Sequence, residues 1–177
     1  MINGAADYTI CYFDKRLKTT HAHQLAASLV FYSPLQTIFW YDKPSFYHGE
    51  PEMEWFENLQ TVFDDTKVLD GAPGKNITMA RRKGQEWFVA AMTNNEGSEE
   101  EIPLTFLDKE KNYLACIYTD GGEKIKTSTQ VKCTYLLVNA SQTMKFQLKP
   151  SGGAAIRLVP IDRQKMKKDK KYKGERL

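Results

Sequence analysis

The sequence contains no apolar run near the roughly 20 residues that a membrane-spanning helix requires, so it predicts no membrane span. Its three cysteines show no CxxC spacing, and an odd number cannot complete a disulfide framework. Met1–Ala6 is too short and too mixed for a signal peptide. Neither a glycine-rich phosphate loop nor a nucleophile elbow is present. What remains is a globular composition, 41% hydrophobic and 12% aromatic, with no self-sufficient catalytic motif.

The net charge of +3 is unevenly distributed along the 177 residues. Residues 163–177 contain eight lysines or arginines and two acids, a net of +6, which leaves residues 1–162 with −3. A basic tail can bind nucleic acid or anionic lipid. Tyr172 is its one aromatic residue, and no nucleic-acid motif precedes it. We therefore expect residues 162–177 to be a solvated, disordered tail without a nucleic-acid partner.

The stretch Asn76–Thr93 predicts the centre of the fold. Asn76–Ala80 and Glu86–Thr93 are β-prone, and the polar residues Arg81–Gly84 between them predict a hairpin loop. The second arm is too apolar to face water on both sides, so it predicts an interior strand. Ser151–Val159 is its expected partner in the same core.

Short strands separated by turn-forming residues continue from residue 62 towards the C-terminus. This spacing predicts an antiparallel β-sandwich, with Glu99–Glu101 in a solvated loop. Cys116 and Cys133 fall in strand-like runs and are expected to be small buried residues, with a bridge between them as the less favoured alternative. The other candidate strands are Lys67–Leu69, Ile102–Phe106, Tyr113–Tyr118, Val131–Val138 and Met144–Lys149.

Residues 1–61 have a different pattern. Thr20 predicts the N-cap of a helix, and Leu35–Tyr41 predicts a buried strand after it, which together form one α/β unit. A second helix is expected over Pro51–Leu59, because proline suits the first helical position. One such unit cannot close a sheet, so this part indicates a truncated α/β domain. The buried face of the second helix is predicted to include Met53, Phe56 and Leu59.

No constellation of side chains forms an active site by itself. His21 and His23 would point about 200° apart on a helix, so a position on the surface or at a helix start is favoured over metal binding. Glu50, Glu54 and Glu57 share a helical face and could hold Ca²⁺, but first-turn acids are far commoner. The sequence thus predicts no catalytic residue and no metal ligand. The remaining charged clusters are interpreted as turn caps or solvated loops: Asp64–Asp65, Arg81–Arg82 and Glu99–Glu101.

A series of motifs in fixed order is more informative than any one of them. The motifs are Ala6–Thr9, Thr19–Ala26, Ser33–Gln36, Asp64–Lys67, Ala80–Gly84 with Trp87 and Thr93, and Gly152–Leu158. The series resembles the C-terminal part of glycoside hydrolase family 97, α-glucosidases and α-galactosidases found mainly in Bacteroides-type bacteria. The resemblance covers roughly residues 4–161 and departs from the family pattern at Ile10–Cys11 and Trp40–Pro44.

The resemblance implies the domain organisation. A complete (β/α)₈ barrel takes about 250 residues, so this chain can hold only part of one. Residues 1–61 are then the terminal fragment of a catalytic barrel, and residues 62–161 form the C-terminal β-sandwich. The fold class is therefore mainly β, with an antiparallel sandwich preceded by a truncated α/β remnant. Residues 1–60 are expected either to fold back onto the sandwich or to bury their apolar side chains in a homo-oligomer.

The resemblance also implies an activity for the parent enzyme. Paired carboxylates would hydrolyse an α-glycosidic bond of an oligosaccharide, and inverting members also use Ca²⁺ held by glutamates. Those carboxylates align upstream of Asp7, so the fragment alone is expected to be inactive and to bind no cofactor. Asp7 and Tyr8 would follow a late barrel strand and are the candidates for lining the substrate pocket. A typical family member would be periplasmic or secreted.

A second class of function is a carbohydrate-binding or interaction module. Such a module usually presents an exposed platform of aromatic side chains. Trp87 and Phe88 alternate across the predicted strand, so at most one of them can face outward.

Overall fold

The structure is a computed structural model that describes residues 8–11, 17–31, 33, 35–41 and 43–161. Residues 162–177 and Asp7 therefore lie outside the described part of the chain. The helices are α1 (His21–Val30) and α2 (Met53–Asn58), with single 3₁₀ turns at Pro44–Phe46 and Gly122–Lys124. The strands are β1 (Tyr8–Cys11), β2 (Gln36–Phe39), β3 (Asp65–Ala72), β4 (Asn76–Lys83), β5 (Glu86–Thr93), β6 (Ser98–Pro103), β7 (Asn112–Asp120), β8 (Val131–Asn139), β9 (Thr143–Leu148) and β10 (Gly153–Ile161).

A six-stranded antiparallel sheet organises the molecule, in the order β3-β4-β5-β10-β7-β8. β5 is an interior strand between β4 and β10, as the sequence predicts. The smaller antiparallel sheet β6-β9 covers one face of the large sheet, whereas α1 and α2 cover the other. The prediction of a mainly β fold with an antiparallel sandwich is confirmed.

Two apolar cores lie on opposite faces of the six-stranded sheet. The inter-sheet core, against β6-β9, includes Trp87 from β5, whose ring meets Phe106 at 4.9 Å between centroids. The helix-side core includes Phe88 from the same strand and packs against both helices. Cys116 and Cys133 lie on the helix side and are not joined by a disulfide, so the disulfide alternative is wrong. Because both faces of β5 are covered, its continuous apolar sequence is explained.

α1 begins after Thr20, whose hydroxyl accepts a hydrogen bond from the His23 amide at 3.1 Å. This N-cap confirms the predicted start of the helix. Ala22, Leu25 and Leu29 follow at helical spacing and are all buried against the sheet. Residues 1–60 are expected either to fold back onto the sandwich or to be buried in a homo-oligomer. For α1 the first alternative holds, because the sheet of the same chain buries its apolar side chains.

β1 and β2 form a separate parallel pair in register Tyr8↔Gln36 to Cys11↔Phe39. The sequence predicts a buried strand here, and this is wrong for most of its length. Leu35 is 74% exposed, and Ile38 and Phe39 also face solvent. Only Trp40, just beyond the strand, is buried. An apolar strand of an α/β unit needs further elements to cover it, and the described residues provide none.

The hairpin between β4 and β5 is tighter than the sequence indicates. Its turn consists of Gly84 and Gln85, so Arg81 and Arg82 belong to β4 and not to a loop. Arg81 is 6% exposed, with its guanidinium 5.5 Å from the Phe63 ring centroid, and it donates to the Val30 carbonyl at 3.4 Å. Thus its long side chain links the sheet to α1 while its charge stays hydrogen-bonded.

Asp64 caps the turn of that hairpin. Its carboxylate accepts hydrogen bonds from the Gly84 amide at 2.7 Å and from Lys83 Nζ at 3.2 Å. The Gly84 amide bond, the largest cause, and Lys83 lower the pKa of Asp64. The predicted turn-capping role of this residue is confirmed.

The predicted loop Glu99–Glu101 and the predicted strand Ile102–Phe106 are both wrong in position. β6 begins at Ser98 and ends at Pro103, so the glutamates lie within a strand. Glu100 is 3% exposed and accepts hydrogen bonds from the Thr78 hydroxyl at 2.8 Å and the Ser98 hydroxyl at 2.7 Å. The alternation of inward and outward residues in β6 explains why one of three consecutive glutamates is buried.

Candidate functional site at the junction of helices and sheet

α1 is attached to the sheet through its first turn. The Thr20 amide donates to the Ser151 carbonyl at 3.1 Å, and the His23 ring nitrogen Nδ1 lies 3.1 Å from the Gly152 carbonyl oxygen. A Cβ on Gly153 would lie 2.7 Å from the His23 Cα. Glycine is therefore required where β10 meets the helix. The Gly152-Gly153 pair of the resemblance thus has a packing role.

Two titratable groups are half-buried at this attachment point. Burial raises the pKa of Asp120, although the Thr20 side chain and the Gly153 amide, which donates to it at 3.3 Å, oppose the shift. Burial also lowers the pKa of His23, opposed by the Gly152 carbonyl and by Asp120. The junction therefore favours the less charged form of each group.

Trp55 joins α2, α1 and the sheet. It is fully buried, and its indole N–H donates to the Ser28 hydroxyl of α1 at 2.9 Å. Its ring makes edge contacts with Phe88 of β5 at 5.8 Å and with Tyr118 of β7 at 6.1 Å. The predicted buried residues of this helix, Met53 and Phe56, are only partly buried. Trp55 is thus the main anchor of α2.

A fully buried carboxyl, that of Glu52, lies just before α2. Glu52 is 0% exposed, and burial raises its pKa, while the nearby Thr129 and Trp40 side chains lower it by less. Its oxygens make no hydrogen bond of good geometry within the described residues. The His21 ring contacts Trp40 edge-on at 5.8 Å and also hydrogen-bonds the Thr129 backbone. This cluster connects the residues around β2 with the β7–β8 connection.

The predicted site residues are distributed as follows. Asp7 lies outside the described residues, and Tyr8 is the first residue of β1, not a residue after a strand. The contact of Asp7 and Tyr8 with substrate stays a prediction. His21 and His23 point to different neighbours and lie in the first turn of α1, so the expected helix-start position is confirmed, although both are half-buried at the junction and not on the open surface.

The three glutamates considered for Ca²⁺ have separate partners. Glu50 accepts from the His48 amide at 2.8 Å, Glu54 accepts from the Tyr135 hydroxyl at 3.0 Å, and Glu57 is exposed. Across the described ranges, no group of three or more His, Cys, Asp or Glu side chains could hold a metal ion. These residues do not fit a Ca²⁺ site, and the ion stays a prediction for the parent enzyme. No described helix is long and apolar enough to span a membrane.

The aromatic platform expected of a carbohydrate-binding module is absent from β5. Trp87 is 5% exposed in the inter-sheet core, and Phe88 is 1% exposed in the helix-side core. Neither ring is available to a ligand. The half-exposed aromatic residues Phe46 and Tyr47 lie instead in the segment between β2 and α2.

Sequence reasoning missed Trp55, Glu52, Asp120 and Thr129 as junction residues. A signal for Trp55 is present, because a tryptophan in a short helix next to acids is costly to expose. Glu52 and Asp120 carry no such signal, since charged residues beside turns are normally solvated.

Comparison with known proteins agrees with this architecture. Residues 62–159 match the family described as the glycosyl-hydrolase 97 C-terminal, oligomerisation domain. The chain is 34% identical over 153 residues to a retaining α-galactosidase of Bacteroides thetaiotaomicron, covering 86% of this chain and 23% of the relative. It therefore spans about a quarter of the length of that protein.

Solved structures show the same similarity. A family 97 enzyme from Pseudoalteromonas sp. strain K8, in complex with acarbose, superposes with a TM-score of 0.71 at 32% identity, covering 81% of this chain and 23% of that one. A β-arabinopyranosidase gives a TM-score of 0.62 at 25% identity, covering 79% and 21% respectively. On the strength of the domain match over residues 62–159, this chain belongs to glycoside hydrolase family 97, of which it contains a C-terminal portion.

Proposed function

We propose that the chain is the C-terminal support portion of an enzyme that cleaves α-glycosidic bonds, with α-galactosides as the first substrate class to test. The similarity to a retaining α-galactosidase supports this substrate class. The observation that carries the support role is the attachment of α1 to β10, with Gly153 in contact distance of the helix backbone. The sandwich would hold one α/β unit in place for the rest of a barrel.

The uncovered surface of β2 gives this proposal a physical basis. β1 and β2 are parallel, and parallel sheets are normally covered on both faces. Leu35, Ile38 and Phe39 are large apolar side chains that remain exposed. In the parent enzyme, residues 1–61 would be the terminal part of the barrel and residues 62–161 the sandwich. Upstream barrel elements would then bury these three side chains.

The chemistry would be supplied by that upstream part. A retaining glycosidase uses two carboxyl groups about 5–5.5 Å apart, one as nucleophile and one as acid and base. Among the described residues, the buried Glu50 and Glu100 accept from the His48 amide and the Thr78 hydroxyl, and the half-buried Asp120 accepts from the Gly153 amide. Glu52 is fully buried and burial raises its pKa, so each of these carboxyls has a structural setting. Accordingly, this chain alone should not hydrolyse glycosides.

Hydrolysis of aryl α-galactoside, α-glucoside and β-arabinopyranoside tests the proposal. We expect no turnover by the 177-residue chain. A longer protein, expressed together with the upstream coding sequence, should hydrolyse the α-galactoside. Addition and chelation of Ca²⁺ distinguish the metal-using alternative. Turnover by the short chain, or no α-glycosidase activity in the extended protein, would overturn the proposal.

The matched domain, residues 62–159, is described as an oligomerisation domain, and the uncovered β2 surface outside it gives the isolated chain a further apolar surface for self-association. We expect the isolated chain to associate through Leu35, Ile38 and Phe39, so Phe39→Glu should shift sedimentation velocity towards a monomer. Val68→Glu is the matched control, because Val68 is 66% exposed on β3, far from that surface in the sequence. Equal effects of the two substitutions would locate the interface elsewhere.

A further inference from the structure

The direction of β1 and β2 identifies one edge of the parallel pair as the functional edge. Both strands run the same way, so their carboxyl ends, Cys11 and Phe39, lie together. In (β/α)₈ barrels the active site forms from the loops that leave the carboxyl ends of the strands. The segment Trp40–Glu50, here called the β2 loop, leaves this end. It contains Phe46 and Tyr47, which are 47% and 46% exposed.

The sandwich supplies a second wall facing the β2 loop. Lys126, Thr127 and Ser128, in the connection between β7 and β8, line with Phe46 and His48–Glu50 of the β2 loop an open cavity of about 540 Å³. Sites for small ligands usually measure about 300–1,000 Å³. Phe46 provides an apolar surface, while hydroxyl, ammonium, imidazole and carboxylate groups provide donors and acceptors. This combination suits a ligand with apolar ring faces and many hydroxyl groups.

The β2 loop wall is fixed by Glu50. This residue is 5% exposed, and its carboxylate accepts from the His48 amide at 2.8 Å. Gly49, between them, has φ +87°, a backbone conformation that other residues rarely adopt. Burial raises the pKa of Glu50, but the His48 amide and the Tyr41 hydroxyl outweigh it, so the net shift is downward and the group is ionised.

The sandwich wall is fixed by Thr129. It is 3% exposed, its hydroxyl lies 3.2 Å from that of Thr127, and its backbone hydrogen-bonds the His21 ring of α1. Trp40, at the start of the β2 loop, contacts the same His21 ring. The two walls therefore share one buried cluster, so the cavity is formed before a ligand arrives.

We propose that this cavity is a sugar-binding subsite, in which Phe46 stacks on one residue of a neutral oligosaccharide while Lys126, Thr127 and Ser128 bond its hydroxyl groups. The sandwich then contributes directly to substrate recognition, and this inference rests on the proposed glycosidase function. A neutral sugar is favoured over an anionic one because the ionised Glu50 lines the same cavity as Lys126. The cavity has one aromatic face, that of Phe46, and no catalytic pair of carboxyl groups. It therefore suits a sugar residue that is not part of the bond being cleaved.

Titration of the isotope-labelled 177-residue chain with raffinose, an α-galactosyl trisaccharide, tests the subsite by nuclear magnetic resonance. We expect saturable shifts of backbone amides in residues 43–50 and 122–130, with a Kd of about 1 mM, typical of a single weak subsite. Phe46→Ala should weaken binding about fivefold or more, the effect of losing an aromatic contact. Cellotriose, a β-linked trisaccharide, serves as the ligand control.

Matched variants separate the site from general surface effects. Val68→Ala removes an exposed apolar side chain and Lys109→Ala an exposed lysine, and neither residue lines the cavity. Both should leave raffinose binding unchanged, whereas Lys126→Ala should weaken it. No saturable shift, shifts away from the two walls, or equal effects of Phe46→Ala and Val68→Ala would overturn the subsite.

The outcomes distinguish this inference from the proposed function. If the extended protein hydrolyses α-galactosides but the chain shows no shift with raffinose, the subsite is refuted and the glycosidase assignment stands. If raffinose binds at the two walls but the extended protein is inactive, the subsite stands and the assignment fails. In an active extended protein, Phe46→Ala should raise KM for raffinose more than for an aryl galactoside, which lacks the distal sugars.

Discussion

Replacement of Trp55 by alanine is the most direct test of whether the helices and the sandwich form one cooperative unit. Trp55 is 0% exposed and contacts α1, β5 and β7. Truncation of a buried tryptophan costs about 3–5 kcal/mol. The lost hydrogen bond adds little, because the Ser28 hydroxyl also donates to the Leu25 carbonyl at 2.5 Å. We therefore expect the free energy of unfolding to fall by about 4 kcal/mol.

Such a loss is a large part of the stability of a typical domain, about 5–15 kcal/mol. With a urea dependence of about 2 kcal/mol per molar, the unfolding midpoint should fall by about 2 M. Urea titration followed by far-ultraviolet circular dichroism, dominated by the strands, measures this shift. Trp55→Phe, which keeps most ring contacts, should lose about half as much. Val62→Ala is the surface control, because Val62 is 60% exposed.

Two results would refute the reasoning. One is a midpoint for Trp55→Ala equal to that of Val62→Ala. The other is a two-step transition in which the strand signal keeps the wild-type midpoint while the helices melt separately. Either would mean that α2 is attached to the sandwich without stabilising it.

Three further predictions concern buried polar and close-packed groups. Burial raises the pKa of Glu52 in the folded protein above its ordinary value of 4.5. The free energy of unfolding should therefore fall as the pH rises from 4.5 through the folded pKa, because the folded state holds this proton more tightly than the unfolded state. Urea titrations across this pH range should show that Glu52→Gln removes the contribution of this residue to the fall. Gly153→Ala should lower the melting temperature by displacing His23. Gly71→Ala is the control, because a Cβ there would meet only ordinary contacts of 3.6 Å or more; an equal effect would contradict the close contact. Glu100→Ala should lower the free energy of unfolding by about 2–3 kcal/mol, because it leaves the Thr78 hydroxyl unpaired. The comparison variant is Glu100→Gln, which retains an acceptor for that hydroxyl.

The sequence predicts most of this fold because its local and long-range patterns agree. The hairpin of β4 and β5, its pairing with β10 and the Thr20 cap of α1 all follow from periodicity and turn chemistry. The exposure of β2 could not be predicted, since an apolar run shows only that a strand needs a cover, not whether the cover is present. Burial of Arg81 was missed because its solvation depends on Phe63 and Val30, which are distant in sequence.

The candidate site was less predictable than the fold for a related reason. Glu52 precedes α2, Asp120 ends β7 and Thr129 lies in the β7–β8 connection, and they acquire their roles only where α1 meets the sheet. No spacing rule links residues that are brought together by packing. In the sequence, the aromatic residues considered for sugar binding are Trp87 and Phe88, and β-strand alternation lets at most one of them face outward. The exposed rings occur instead in the β2 loop, which has no regular period.

The burial of β5 on both faces has a consequence for how the sheet avoids misalignment. Trp87, Val89 and Ala91 face one core, while Phe88, Ala90 and Met92 face the other, so both faces carry a large aromatic residue followed by smaller apolar ones. If the pairing register of β5 shifted by one residue, its two similar apolar faces would exchange places and no charge would be buried or exposed. The alternation of polar and apolar residues therefore does not by itself disfavour the shifted register. The register must then be set by features at the ends of the strands: the Gly84-Gln85 turn with its Asp64 cap, and the tight fit of Gly153 beneath α1. Loss of both should give a sheet that is still compact and β-rich but populates more than one alignment.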